Sequence, residues 1–286
     1  MPELPEVEVI RRGLSPVLVG RRFTALRMGP ARLRRQSSIR EFREWVLHRR
    51  VEALTRRGKY LLFHLEGGVT LLVHLGMTGR LLLGKKAGKR PPHVHLILHC
   101  DDGSRLLYQD VRRFGQILVF PPDEQPEPLE RVGLEPFSPR LTPHLLQEWT
   151  RTGKRPLKSF LLDGSAMAGV GNIYACEILH AARLSPAVPV RRLSVGDWER
   201  VLRETRRILR AAIRRGGTTV ADFLNSRGEA GLFQLDLQVY GRQGEPCRCC
   251  GNPISRVVQA GRGTFFCPRC QPGPRSPGIR KPRPGD

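Results

Sequence analysis

The tightest constraint on this 286-residue chain is a set of four cysteines near its C-terminal end. Cys247-x-x-Cys250 and Cys267-x-x-Cys270 form two knuckles with 16 residues between them. Each knuckle offers two thiolates, and the intervening stretch is long enough for a hairpin. This is the spacing of a four-cysteine zinc ribbon. A tetrahedral set of thiolates selects zinc, and four protein ligands leave no position open for water. The expected ion is therefore one structural Zn2+. Cys249 is an extra thiol in the cluster, but Cys-x-x-Cys geometry favours Cys247 and Cys250. Such a cluster belongs to a reducing compartment, where disulfides do not persist.

Charge narrows the partner. Lys and Arg number 49 against 26 Asp and Glu, a formal net charge of +23. That excess attracts polyanions, nucleic acid first. No apolar run approaches the roughly 20 residues that span a bilayer. The N-terminus lacks a charged region followed by an apolar segment, so no signal peptide is expected. The expectation is a cytoplasmic, nucleoid-associated protein without a membrane partner.

The first residues, Met1-Pro2-Glu3-Leu4-Pro5-Glu6, carry a chemical possibility. An initiator Met is usually trimmed before a small residue such as Pro, which leaves a secondary amine at the terminus. An α-amino group titrates near ~7.7–8.0, so part of it is neutral and nucleophilic in the cell. Its attack on a carbonyl-like carbon gives a Schiff base, here a charged iminium. Glu3 stands beside it as a proton donor or acceptor. Glu6 and Glu8 fall in the first turn of a helix over residues 5–19, where the dipole favours carboxylates. Glu6 has a second reading, as support for catalysis.

Val7, Ile10 and Leu14 recur at helical spacing in that stretch. From residue 20 to about 120 the pattern changes to short apolar runs. Val51–Leu54, Tyr60–Phe63, Val69–Val73 and Leu96–Leu98 read as strands, and Gly67-Gly68 and Asp101-Asp102-Gly103 as hairpin turns. Residues 41–47 read as a short helix. Many strands with local turns suggest an antiparallel sandwich. Pro and acidic residues crowd residues 121–140, a linker composition. Helices are expected at 141–150, 159–163 and from Ser194 to Arg215, the last opened by a Ser194/Asp197 capping box and closed by Gly216-Gly217. In Gly169-Val170-Gly171-Asn172-Ile173-Tyr174-Ala175, the glycines allow a tight turn. Asn172 is the expected N-cap, with free N–H groups for a phosphate. The fold class is α+β: an N-terminal antiparallel β-sandwich with flanking helices, then a helical domain and a zinc-ribbon hairpin. The boundaries are 1–125 for the sandwich, 126–140 for the linker, 141–235 for the helical part, 236–270 for the zinc hairpin and 271–286 for a basic, disordered tail. His93-Val94-His95 could form a metal pair, but no carboxylate or Cys at suitable spacing completes it.

The string Met1–Glu6 with Val7-Glu8-Val9 resembles the start of the formamidopyrimidine-DNA glycosylase family, base-excision enzymes for oxidised purines. Arg56-Arg57-Gly58-Lys59-Tyr60, His74-Leu75-Gly76-Met77-Thr78-Gly79-Arg80, Tyr108-Gln109-Asp110-Val111-Arg112-Arg113-Phe114-Gly115 and the Gly169–Ala175 turn resemble its other motifs, in order. The resemblance spans Pro2 to Cys270. It implies a glycosylase and AP lyase in which Pro2 attacks C1′ of an everted nucleotide and Glu3 relays protons. Lys59 and Arg262 would be proton donors in β- and δ-elimination. It implies that Met77, Arg112 and Phe114 refill the space the base leaves, a filling needed because extrusion costs a few kcal/mol of stacking. His93, Arg113, Lys154, Lys158 and Asn172 would meet DNA, the last three as phosphate contacts of a helix–two-turn–helix clamp. A loop over residues 222–234 would close on the everted purine, and Lys85, Lys86, Lys89 and Arg90 would make another loop basic. Val111 stands where the family often has Pro, and Gly164 where it usually has Gln. The expected partner is damaged double-stranded DNA, and the expected state is a monomer.

Two competing readings remain. An endonuclease VIII-like enzyme for oxidised pyrimidines shares much of this pattern, but that branch typically has Gly at the position of Leu4 and lacks the Arg112/Phe114 arrangement. A non-catalytic zinc-ribbon nucleic-acid-binding protein fits the charge and the cysteines, but leaves Pro2, Glu3 and Lys59 unexplained.

Overall fold

A computed structural model describes residues 1–85, 91–218 and 231–273, with Lys85 described in its backbone only. Helix α1 (Leu4–Leu18) begins one residue before the expected start, so Pro5 stands in its first turn rather than opening it. Its face of Val7, Ile10, Leu14 and Leu18 is fully buried. At about 1.5–3 kcal/mol for each such side chain, this face alone contributes roughly 6–12 kcal/mol, an upper figure against an extended chain.

The strands follow as β1 (Phe23–Met28), β2 (Arg35–Gln36), β3 (Val51–Arg57), β4 (Tyr60–Leu65), β5 (Val69–His74), β6 (Arg80–Lys85), β7 (Val94–Cys100), β8 (Ser104–Gln109) and β9 (Gln116–Phe120), with helix α2 (Ile39–Trp45) after β2. They form two sheets, ordered β2-β9-β5-β4-β3 and β1-β7-β8-β6. Among the described residues, every strand pair is antiparallel except the two-residue β2 beside β9. One apolar cluster joins the inner faces, including Phe23, Phe63, Val73, Leu98 and Ile117, to the buried face of α1. Both predicted turns are present. Gly67 and Gly68 link β4 to β5 at positive φ. Between β7 and β8, the Asp102 side chain accepts the Ser104 N–H at 2.9 Å, which fixes the bend.

Helices α3 (Pro143–Thr150), α4 (Leu157–Asp163), α5 (Asn172–Ala181) and α6 (Val195–Arg214) follow. Gly164 ends α4 at φ 77°, a left-handed conformation that disfavours a side chain, which gives the unusual glycine a structural reason. The N-cap of α5 is Gly171, not Asn172. The Asn172 side chain is instead drawn to the zinc hairpin, as described below. The Ser194/Asp197 capping box opens α6 as expected, with Ser194 N–H to Asp197 Oδ2 at 2.9 Å and Asp197 N–H to Ser194 Oγ at 3.1 Å. The last strands, β10 (Ser255–Gln259) and β11 (Arg262–Phe266), form an antiparallel hairpin.

The chain divides into two compact units. One comprises residues 1–136, 167–170 and 209–236, and the other residues 137–166, 171–208 and 237–286.

Candidate functional site

The first unit gathers chemistry at the N-terminus. Glu3 and Glu6 are each only 2% exposed. The Glu6 carboxylate is held out of water because backbone donors face both of its oxygens. Glu6 Oε2 accepts the Glu3 N–H and Oε1 accepts the Thr218 N–H, both at 2.8 Å. Leu4 N–H donates to the Gly169 carbonyl at 3.0 Å. A Cβ on Gly169 would lie 2.6 Å from that of Leu4, so the two residues fit only as this pair. Pro2 is buried and Met1 is partly exposed. Burial, the largest influence, pushes the terminal ammonium of Met1 below its ordinary value. Glu3 and Glu6 oppose the shift, and the Lys59 and Arg112 cations add to it. The terminus, both carboxylates, Lys59 and Arg112 therefore share one electrostatic neighbourhood.

Glu135 holds the backbone next to Lys59. Glu135 Oε1 accepts the Gly58 N–H at 2.6 Å and the Arg56 guanidinium at 3.2 Å. Arg56 also bonds Glu8 at 3.2 Å, which ties the β3–β4 turn to α1. Glu135 gave no signal in the sequence, because its partners are 77 and 79 residues away. The pKa of His74, at the end of β5, is held down to about 4 by burial first, then by the Lys59 and Arg34 cations. Its Nδ1 accepts the Gly76 N–H at 3.1 Å, which requires the neutral ring. Below about 6.5 the unfolded chain takes up a proton that the folded chain refuses, so His74 stabilises the fold above that pH and its contribution is lost as pH falls toward 4. Urea midpoints measured between about pH 7.5 and 4.5 should fall less steeply for His74→Gln than for the parent.

Met77, Arg112 and Phe114 stand on two neighbouring loops. Met77 is 40% exposed and Phe114 43%. The Arg112 guanidinium lies 4.8 Å from the centre of the Phe114 ring. Large apolar groups held in water beside a cation suit the filling of a gap in a base stack. Arg113 is exposed at φ 58°. The His-x-His pair is split: His93 is exposed at φ 61°, whereas His95 is buried with its ring nitrogens at the Ala31 and Asp110 carbonyls, 3.1 and 2.8 Å away. The pair holds no metal geometry.

In the second unit the zinc hairpin rests on α4 and α5. Lys158 is fully buried. Its Nζ donates to Thr264 Oγ1 at 2.6 Å and to the Gly263 carbonyl at 3.1 Å. The expectation of a direct phosphate contact through Lys158 is corrected accordingly: a buried ammonium is stable only when paired, and this one braces the hairpin. Asn172 Nδ2 donates to the same Gly263 carbonyl at 3.0 Å. Lys154 is exposed, as is Arg262 beside the turn at Ala260 and Gly261. Glu177, which sequence reasoning did not single out, gathers the N–H groups of Gln238, Val239 and Tyr240 at 2.9–3.0 Å. One buried carboxylate thereby anchors the segment that leads into the ribbon.

The four sulfurs of Cys247, Cys250, Cys267 and Cys270 lie within 4.8 Å of one another. The Cys247–Cys270 and Cys250–Cys267 pairs are 3.9 and 3.5 Å apart. A tetrahedron of Zn–S bonds near ~2.3 Å has edges of about 3.8 Å, so the set fits one zinc. His180 Nε2, buried on α5, lies 3.5 Å from Cys247 Sγ. It was also missed in the sequence, 67 residues from its partner. A ring N–H beside a thiolate ligand acts as an outer partner. His180→Phe should weaken zinc retention by about 10–100-fold against a competing chelator dye.

Lys86, Lys89, Arg90, residues 222–230 of the expected closing loop and nearly all of the expected tail lie outside the described residues.

Comparison with known proteins agrees with this geometry. The family models that match are described as the formamidopyrimidine-DNA glycosylase N-terminal domain, over residues 1–117, and the formamidopyrimidine-DNA glycosylase H2TH domain, over residues 132–223. A third, a zinc finger found in FPG and IleRS, matches residues 244–273. A formamidopyrimidine-DNA glycosylase of Geobacillus kaustophilus is 43% identical, covering 95% of this chain and all of the relative. One of Burkholderia cenocepacia is 44% identical with the same coverage. Among solved structures, the MutM (Fpg) protein of Thermus thermophilus is 42% identical with a TM-score of 0.84, covering 96% of this chain and 100% of that one. The Lactococcus lactis Fpg in complex with DNA containing an abasic site is 32% identical with a TM-score of 0.88, covering 95% and 100%.

Proposed function

The chain belongs to the formamidopyrimidine-DNA glycosylase family, and from that premise we propose how its own residues carry out the reaction. It is a DNA glycosylase that excises oxidised purines from duplex DNA, in a family whose members typically also act as AP lyases. With Met1 removed, the Pro2 nitrogen attacks C1′ of the everted nucleotide and the base departs. Glu3 protonates the sugar ring oxygen and then relays protons, while Glu6 fixes the Glu3 backbone. The iminium on Pro2 makes the adjacent sugar protons acidic. Loss of one expels the 3′ phosphate, and a second elimination expels the 5′ phosphate. Lys59 serves the first elimination as proton donor, and Arg262 the second.

DNA is held by His93, Arg113, Lys154 and Asn172, and Met77, Arg112 and Phe114 refill the stack. The structural zinc shapes the hairpin that carries Arg262. The N-terminal sandwich supplies catalysis, and the helical part and ribbon supply grip. The enzyme works as a monomer in the cytoplasm, where thiolates stay reduced for zinc. The observation that supports the catalytic assignment is the burial of Pro2, Glu3 and Glu6 together at the start of α1, with Glu6 accepting the Glu3 N–H.

Duplexes carrying 8-oxoguanine or thymine glycol test the reading. Release of free 8-oxoguanine, with a gap flanked by phosphates, is the expected result. Preference for thymine glycol would favour the endonuclease VIII-like alternative. Binding without cleavage of either duplex would leave only a zinc-ribbon binder.

A further inference from the structure

Asp110 is completely buried, yet the proposed mechanism gives it no task. Its carboxylate lies where two loops meet. Oδ1 accepts the Thr78 hydroxyl at 2.5 Å and the Arg112 N–H at 3.3 Å. Oδ2 accepts the Gly115 N–H at 2.8 Å. The Arg112 N–H also reaches Thr78 Oγ1 at 3.1 Å, so the hydroxyl ties its own loop to the Asp110–Arg112 loop twice, by donating to Asp110 and accepting from Arg112. The backbone of Asp110 is pinned as well. Its N–H donates to the His93 carbonyl at 3.0 Å, and its carbonyl lies 2.8 Å from His95 Nε2. The loops touch backbone to backbone: a Cβ on Gly76 would sit 2.5 Å from the Phe114 carbonyl carbon.

We propose that Asp110, acting through Thr78, is the positioning residue for the group that refills the base stack. It locks the loop of Met77 against the loop of Arg112 and Phe114. This rests on the role proposed above for those three side chains. Met77 adjoins Thr78, and Arg112 is itself a donor to the network. A carboxylate that accepts three donors sets the spacing between Met77 and the Arg112–Phe114 pair before DNA arrives. Preorganisation matters because a misplacement of ~1 Å can cost about 10²-fold in rate. The requirement is greatest when a stacked, paired base must be displaced. It is least at a preformed abasic site, where no base has to leave.

The test compares two single-turnover rates in the same duplex context: excision of 8-oxoguanine opposite cytosine, and nicking of a preformed abasic site. Thr78→Val removes the bridging hydroxyl and keeps the shape. It should lower the ratio of excision to nicking by about 10-fold or more, within the range for misplaced groups. A 2-aminopurine placed beside the lesion should report slowed unstacking to the same degree. Thr78→Ser, which keeps the hydroxyl, should restore both readouts. Asp110→Asn should act in the same direction, because an amide N–H would face the Thr78 hydroxyl or the Gly115 N–H. If Asp110→Asn fails to fold, Thr78→Val decides alone. An unchanged ratio, or equal loss of both rates, overturns the proposal. If the parent protein itself excises no 8-oxoguanine, it is the functional reading that has failed.

Discussion

Pro2→Gly should sharply reduce the borohydride-trapped adduct with 8-oxoguanine duplex and slow excision by roughly 10³-fold or more, about 4 kcal/mol of barrier. Glycine is also small, so Met1 is still removed and the variant tests the ring rather than the processing. A secondary amine cannot lose a proton after condensing with C1′. Its adduct remains a cationic iminium, the electron sink that both eliminations need. A primary amine gives an imine that can become neutral, and it lacks the ring that fixes the direction of the nitrogen. Glu3 and Glu6 would keep their backbone bonds, since neither involves the Pro2 side chain. Binding to a duplex with an uncleavable abasic analogue should therefore change little. Loss of binding along with excision would mean that the N-terminus organises DNA binding rather than attacking the sugar.

The second large effect is expected from the zinc site. Cys267→Ser should release the ion, unfold the β10–β11 hairpin and weaken DNA binding by about 10²-fold or more. The local core is small: Cys176, Val239, Cys247, Ile254 and Cys267 are its buried members, with Tyr240 and Phe265 packed beside them. So few apolar groups cannot hold a hairpin without the metal, whose binding supplies roughly 10–16 kcal/mol at structural sites of this type. The hairpin carries Arg262 and Gly263, and the Gly263 carbonyl receives Lys158 and Asn172. Its loss therefore also exposes a buried ammonium to solvent. Zinc released to a chelating dye should fall from one equivalent per chain to none. A variant that keeps full DNA affinity without zinc would contradict the bracing role.

Much of this was legible in the sequence for identifiable reasons. Four cysteines at fixed spacing admit few geometries, so the ribbon was readable from its ligands alone. The long apolar face of α6 and the Ser194/Asp197 box gave its span to within a residue. The strands β4 and β5 alternate or cluster strongly enough to stand out. The two residues of β2 could not, because their parallel pairing with β9 is set by tertiary context. Asn172 illustrates a local preference overridden: Asn favours the N-cap, but a backbone carbonyl 91 residues away claims its side chain. Lys158 was expected to meet phosphate by motif and is instead buried against Gly263 and Thr264 of the hairpin. Glu135, Glu177 and His180 share one reason for being missed. Each is defined by partners far along the chain, and periodicity does not record such contacts.

The central claim is that the attacking atom is the nitrogen at the head of the chain. Borohydride reduction in the presence of an 8-oxoguanine duplex, followed by nuclease and protease digestion and peptide mass analysis, locates that atom. The account predicts a deoxyribose remnant on the nitrogen of Pro2, in a peptide from which Met1 is absent. A remnant on Lys59, or full activity in protein that retains Met1, would contradict it.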